Sequence, residues 1–214
     1  MADSTYFPVF VEMRERPCLV VGGGRVAERK VKGLLGVGAR VTLVSPILTE
    51  RLASWARDGR LHHVPRAYRA EDLDGHEIAF VAVDGREVNA AVARDGRARG
   101  IWVNVADDPA RSDFILPSVL RRGKLVVAVG TGGASPALAR AIREELDAYF
   151  TEDYARLAEL VAGVRRELRQ RAGSLDGEVW NRVLGPHLRR LIAEGKREEA
   201  KSYLLEGLGA ARCR

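Results

Sequence analysis

The residues whose types and spacing bear on chemistry lie in three short runs. In the first, Val20-Val21-Gly22-Gly23-Gly24-Arg25-Val26-Ala27, the residues Gly22, Gly24 and Ala27 fall at GxGxxA spacing. Each answers a demand of diphosphate binding: Gly22 a tight turn, Gly24 a backbone bare enough for a phosphate to approach, and Ala27 a small contact between helix and strand. The amides that open the following helix then supply donors for the anion. A glycine turn needed only for close packing would give the same letters. The usual fingerprint also has an acidic residue at the end of the next apolar run, for a ribose hydroxyl, and here Ser45-Pro46 stands in its place. Arg51 lies too far along to serve as a clamp for a 2′-phosphate, so the expectation leans to NAD. The second run, Asn104-Val105-Ala106-Asp107-Asp108-Pro109, sets two carboxylates at the end of an apolar stretch. Ligands of open α/β sheets sit at the carboxyl ends of the strands, so a carboxylate there faces the cofactor cleft. Its plain structural reading is a capping or turn aspartate before a proline. The third run, Gly130-Thr131-Gly132-Gly133-Ala134-Ser135-Pro136, is a second anion-capable loop ahead of a helix.

These runs need elements to hold them. Short apolar stretches at Cys18 to Val21, Val41 to Val44, Leu61 to Val64, Ile78 to Val83 and Ile101 to Val105 alternate with helical patterns. That alternation predicts a parallel sheet wound by helices, a Rossmann-like domain. Ala27, Val31, Leu34 and Leu35 form the apolar stripe of a first helix, closed by Gly36 and Gly38. Leu48, Leu52 and Trp55 mark a second, and Val88, Ala91 and Val92 a third that ends before Gly96. Tyr6 to Val11 is a candidate further strand. Beyond Pro109 the pattern changes: Phe114 to Leu120 and Leu125 to Val129, separated by Arg121, Arg122, Gly123 and Lys124, predict an antiparallel hairpin. Ser135 as N-cap and Pro136 at the first helical position open a helix with Leu138, Ile142, Leu146 and Tyr149 on one face. The remainder is helical in pattern, with a loop near Ala172 to Gly177. The expected domains are residues 1–112, a Rossmann domain; 113–150, a region that pairs subunits; and 151–214, a helical C-terminal domain.

Composition sets the class. Hydrophobic residues make up 46% and charged residues 30% of the chain, the balance of an ordinary globular protein. The longest uncharged stretch, Leu125 to Ala139, contains Gly130, Gly132, Gly133 and Pro136 and is too short and too broken to cross a bilayer. Glu12, Arg14, Glu15 and Arg16 interrupt the place where the apolar region of a signal peptide would run. Cys18 and Cys213 show neither metal-ligand spacing nor a disulfide framework, which suits a reducing cytoplasm. The 4 histidines, His62, His63, His76 and His187, form no HxxxH or HExxH pattern, so no dedicated metal site is expected. Lys and Arg number 35 against 29 acidic residues, a net +6 spread along the chain rather than gathered in a tail. Such a balance suits nucleic acid, an anionic surface or a polyanionic small molecule.

Several collinear runs together resemble one family, the precorrin-2 dehydrogenases and sirohydrochlorin ferrochelatases, which also form the N-terminal part of multifunctional siroheme synthases. The likeness rests on Phe7-Pro8-Val9-Phe10, on the run from Val20 to Lys30, on Gly38 to Pro46, on Asn104 to Pro109 and on Asp113 to Leu146. It is looser over Arg165 to Gly173 and around Trp180. The resemblance implies oxidation of precorrin-2 to sirohydrochlorin with NAD as hydride acceptor, in a cytoplasmic homodimer, and in some members insertion of ferrous iron as well. It leaves no room in 214 residues for the methyltransferase domain of the multifunctional proteins. Carried over residue by residue, it sets Gly22, Gly23, Gly24, Arg25 and Val26 at the pyrophosphate turn, and Ser45, Pro46 and Ile47 on the adenosine side. Asp107 aligns with the family's essential aspartate, as candidate base for dehydrogenation and for pyrrole protons as iron enters. Thr131 lies in the family's hydroxyl-bearing glycine loop, although the serine that usually precedes it is Gly130 here. Arg121 and Lys124, with Arg122, Arg140 and Arg143, are candidates to meet a substrate with eight carboxylates. The reading from another class is a non-catalytic NAD-sensing regulator. No helix-turn-helix pattern is recognisable to carry it onto DNA, and no nucleic-acid or membrane partner is expected.

Overall fold

The computed structural model describes residues 6–172 and 177–210, which fall into two compact units, residues 1–116 and 117–214. The first contains the sheet. Strands β1 (Pro17–Val21), β2 (Arg40–Val44), β3 (His62–Val64), β4 (Ile78–Val81) and β5 (Trp102–Val105) are all parallel, in the order β3-β2-β1-β4-β5. Helices α1 (Arg25–Leu35), α2 (Glu50–Arg57) and α3 (Arg86–Arg99) make three of the four crossovers, and a 3-10 turn at Ala70–Leu73 carries the chain from β3 to β4. Strand order reverses between β1 and β4, which is where a sheet of this kind opens a crevice for a ligand.

The near-continuous hydrophobicity of β1 has a direct cause, since both faces of the strand are covered. Alternation sends Cys18 and Val20 to one face, where they pack with Ala27, Val31 and Leu34 of α1 and Leu52 of α2. It sends Leu19 and Val21 to the other, against Val92 and Ala93 of α3. Leu19, Leu43, Leu52 and Leu73 are wholly buried, each stabilising the unit by about 1.5–3 kcal/mol.

Two expectations change. Tyr6 to Val11 is not a strand; its backbone is irregular, and Phe7 and Phe10 are 85% and 75% exposed. The third helix does not end before Gly96 but runs three residues past it, to Arg99, and closes at Gly100 in the left-handed region with φ +69°. Gly96 is present because a Cβ there would stand 2.3 Å from Val103 Cγ2 on β5. The glycine lets helix and strand approach, and propensity alone reads it as a stop signal.

The second unit, taken by itself, opens with the antiparallel hairpin of β6 (Ser118–Arg122) and β7 (Leu125–Val129), whose first arm starts at Ser118 rather than at the expected Phe114, which packs on the core of the first unit, and runs through Arg122 to a turn at Gly123-Lys124. Helix α4 (Pro136–Tyr149) starts as expected: the Ser135 hydroxyl accepts from the Leu138 amide and Pro136 occupies the first position. The face with Leu138 and Tyr149 stays largely exposed within this single chain. Helices α5 (Glu152–Ala172), α6 (Gly177–Val183), α7 (Pro186–Ala193) and α8 (Arg197–Ala210) bury a core that includes Leu160, Val164, Leu188, Ile192, Leu204 and Leu208. The loop expected near Ala172 to Gly177 lies mostly outside the described residues, as does Cys213.

Candidate functional site

The glycine turn follows β1 at the strand-order reversal. Gly22 has φ +119°, which only glycine tolerates, and a Cβ on it would stand 2.2 Å from the Ala82 carbonyl oxygen at the end of β4. Gly23 is equally constrained: a Cβ would lie 1.9 Å from the Ile47 carbonyl oxygen and 2.7 Å from Ser45 Oγ. Gly24 differs from both, with ordinary extended dihedrals (φ −85°, ψ −173°) and nothing within 4 Å of an added Cβ. Two glycines are therefore fixed by the protein's own packing, whereas the third borders open space. Gly24 is also the N-cap of α1 and has no side chain to cap it. The opening amides of the helix, those of Arg25 and Val26 among them, stay available to an anion. A nicotinamide dinucleotide fits this arrangement, because the bare backbone and the uncapped helix start lie together.

On the neighbouring strand end, buried Ser45 donates to the Ile47 carbonyl (2.7 Å) and its own carbonyl meets His63 Nε2 (2.9 Å). This bonding folds Ser45-Pro46-Ile47 into a turn that leaves Pro46 and Ile47 exposed. The Thr49 hydroxyl caps α2 at Leu52 and donates to Glu28 (2.6 Å), whose other oxygen takes Arg51 (3.3 Å). Arg51 is thus engaged with a carboxylate of α1.

The two aspartates after β5 separate cleanly. Asp108 caps the following turn through the Arg111 amide (3.2 Å) and pairs with the Arg111 guanidinium, which holds its carboxyl below the usual range. Asp107 is exposed, sits in the left-handed region at φ +59°, and makes no hydrogen bond or ion pair with any described residue. Aspartate visits that region more readily than most non-glycine residues, so it is the unengaged carboxylate, more than the backbone, that sets Asp107 apart from Asp108.

A residue that sequence reasoning missed is bonded to Asn104, three positions before it. Lys30, on α1, donates from Nζ to Asn104 Oδ1 on β5 (2.7 Å) and lies 5.6 Å from the centroid of Phe80 on β4. Asn104 in turn donates to the Phe114 carbonyl (2.9 Å), and Phe80 meets Phe114 edge to face. Burial pushes the Lys30 ammonium down to about 8; Arg29 acts in the same direction and Asp107 opposes both. The signal was present in the sequence: Lys30 falls at the i+3 position from Ala27, on the stripe where Val31 and Leu34 are buried.

In the second unit the Thr131 hydroxyl closes its own loop, accepting from the Ser135 amide and donating to the Ser135 carbonyl, both at 3.0 Å. Arg121 and Lys124 are exposed on the hairpin. Arg122 is instead tied to Asp147 (3.0 Å) and Glu152 (3.5 Å). No helix among the described residues is long and apolar enough to cross a membrane.

Comparison with known proteins places the chain. An NAD(P)-binding family model matches residues 9–118, and the model described as sirohaem biosynthesis protein central matches residues 122–149. The siroheme synthase of Chromobacterium violaceum is 40% identical over 207 residues, 96% of this chain and 44% of that protein. That of Methylobacillus flagellatus is 40% identical over 203 residues, 94% and 44%. The chain therefore spans less than half the length of these relatives. Among solved structures, SirC, a precorrin-2 dehydrogenase, superposes with a TM-score of 0.76 at 27% identity, covering 94% of this chain and 100% of that one. By the match over its sheet and glycine turn, this chain belongs to the NAD(P)-binding family, in the form that also carries the central segment of sirohaem biosynthesis proteins.

Proposed function

We propose that the chain is an NAD-dependent dehydrogenase that oxidises precorrin-2 to sirohydrochlorin. The observation that carries the reading is the placement of Asp107. Its unpartnered carboxylate, held by a left-handed backbone, stands at the carboxyl end of β5 in the sheet whose switch point bears the open Gly24 turn. SirC, matched over its whole length, bears the name of that activity, and the siroheme synthases bear the name of the pathway.

In this reading the Arg25 and Val26 amides and the open Gly24 backbone bind the dinucleotide diphosphate. Pro46 and Ile47 offer exposed apolar surface to the adenosine. NAD, when bound, supplies the hydride acceptor. Oxidation of the reduced macrocycle removes a hydride and a proton, and Asp107 accepts the proton. The preference for NAD over NADP is supported by Arg51, which pairs with Glu28 rather than standing free for a 2′-phosphate. Arg121 and Lys124 on the hairpin, and the loop closed by Thr131, are assigned to the substrate, whose many carboxylates suit a chain of net charge +6. Residues 113–150 are assigned to pairing of subunits in a homodimer, because a lone two-stranded hairpin is marginal and α4 leaves Leu138 and Tyr149 largely uncovered. A cytoplasmic setting suits Cys18, a buried free thiol.

The siroheme synthase kinship favours a second activity, insertion of ferrous iron as substrate, with Asp107 taking the pyrrole protons. Anaerobic incubation with precorrin-2 and NAD, with NADP in parallel, followed by visible spectroscopy before and after ferrous iron, tests both. The spectrum of sirohydrochlorin should develop with NAD and shift again with iron. An unchanged spectrum would leave the NAD-sensing regulator as the better reading.

A further inference from the structure

Lys30 occupies a position that the fold reserves for a hydrophobic side chain. Helix α1 presents Ala27, Val31 and Leu34 to the sheet, and position 30 lies on the same stripe. On β4 and β5, Phe80 and Asn104 are register partners and point to the α1 face, where Lys30 meets both. A cation set into a helix-sheet interface costs free energy unless it is bonded, and no carboxylate among the described residues forms an ion pair with this one. Its hydrogen bond goes to Asn104, one of only two buried polar side chains among the described residues. Asn104 opens the segment that ends, three residues on, at Asp107. A packing role would be served better by methionine or leucine, and a surface lysine would bury its stem but keep its ammonium in water, whereas Lys30 spends its ammonium on Asn104. The conflict between an apolar position and a charged occupant marks a functional constraint.

We propose that Lys30 is the positioning residue for Asp107: through Asn104 it fixes the end of β5, and its ammonium supplies the positive charge that Asp107 faces once substrate excludes water. The proposal rests on the dehydrogenase reading given above. Asp107 remains the group that takes the proton. The charged groups that bear on Lys30 are Arg29 on its own helix and Asp107 beyond β5; Asn104, Phe80 and Phe114 complete its surroundings with no charge of their own.

Activity and spectroscopy test it separately. Lys30→Met should lower kcat for precorrin-2 oxidation by roughly 10- to 100-fold, the scale for losing an outer-shell partner of an active-site group. Cofactor affinity, read by calorimetry, should hold within about twofold. Lys30→Arg keeps a charge and a donor and should recover much of the loss. The pH profile distinguishes this from simple packing: in the wild type kcat should fall as pH rises through about 8, as Lys30 gives up its proton, and the arginine variant should show no such fall. The second measurement needs no turnover. In protein labelled with ¹³C at the lysine ε-carbons, Lys30 should titrate well below the other lysines, and Asp107→Asn should move it lower still by removing the charge that opposes deprotonation. A Lys30 titration unmoved by Asp107→Asn overturns the proposal, as does a folded Lys30→Met with full kcat and an unaltered pH profile. If the wild type fails to oxidise precorrin-2 with either nicotinamide, the dehydrogenase reading is what fails, and the titration still decides whether Lys30 and Asp107 act on each other.

Discussion

The sharpest perturbation of the cofactor site is Gly24→Asp, because the structure predicts opposite effects on folding and on binding. Gly24 is the N-cap of α1, its backbone is already extended, and an added side chain meets nothing within 4 Å. Aspartate is among the best N-caps, better than glycine by a few tenths of a kcal/mol. A negative charge at a helix N-terminus contributes a further ~0.3–1 kcal/mol. The variant should therefore fold at least as well as the wild type, with Tm raised by about 2–4 °C at this chain length. For the cofactor the same carboxylate is ruinous, since it takes the amides that would hold the diphosphate and repels its charge. At about 5 Å and an effective dielectric of about 20, one pair of like charges costs roughly 3 kcal/mol. That corresponds to a loss of affinity of roughly 100-fold or more. Isothermal calorimetry with NAD and with NADP reads the binding, and a thermal melt without ligand reads the fold. Gly23→Ala is the contrasting control. Its Cβ would overlap the Ile47 carbonyl oxygen at 1.9 Å, so the variant should lose stability by about 1–3 kcal/mol. Undiminished nicotinamide affinity in Gly24→Asp would refute this assignment of the turn, and a melt several degrees lower would refute the cap argument.

Asp107→Asn should cut precorrin-2 oxidation by roughly 10²-fold or more with cofactor affinity retained, whereas Asp108→Ala, losing only a turn cap and its pairing with Arg111, should keep most activity. The reverse order in steady-state assays would move the base by one position. Gly96→Ala, which in an open helix would stabilise by up to ~1 kcal/mol, should instead destabilise by about 1–3 kcal/mol in chemical denaturation, because Val103 Cγ2 stands 2.3 Å from the new Cβ. Light scattering at micromolar concentration should give twice the 23.5 kDa mass of the chain, and a monomer would count against subunit pairing through residues 113–150.

The sheet was legible in the sequence because its central strands β1 and β4 are buried on both faces, which writes an unbroken apolar run at each of them. The crossover helices were legible through their stripes, and α4 through the Ser135 cap and Pro136. What escaped the reading was information carried by pairs of residues distant in sequence. Gly96 looked like a helix end because its partner, Val103, lies on another element. Gly23 held only a filler position in the GxGxxA pattern, yet Ile47 forbids any side chain on it. Tyr6 to Val11 is as apolar and aromatic as a strand, but composition cannot supply a partner to hydrogen-bond with. At the candidate site, motif and strand position pointed to the glycine turn and to Asp107. Lys30 was passed over because its neighbours on the stripe, rather than its own type, show that it is half-buried against the sheet.

Backbone strain alone would not have singled out Asp107. Glu15 has the same left-handed φ of +59°, and the two are the non-glycine residues with positive φ among those described. Each bears a cost of about 1–2 kcal/mol, or less for aspartate, which visits this region more readily. At Glu15 the cost is offset locally: its amide donates to the Gly38 carbonyl (2.8 Å) and its carbonyl accepts from Arg40 Nε (3.0 Å), a turn that leads the chain into β1 at the amino ends of the strands. At Asp107 no side-chain bond offsets it, and the residue lies at the carboxyl ends of the strands, where its charge acts on half-buried Lys30. A turn could be made there by glycine at no conformational cost. Under the proposed function, the aspartate side chain is what that position serves, a carboxylate turned to the substrate rather than spent on the fold.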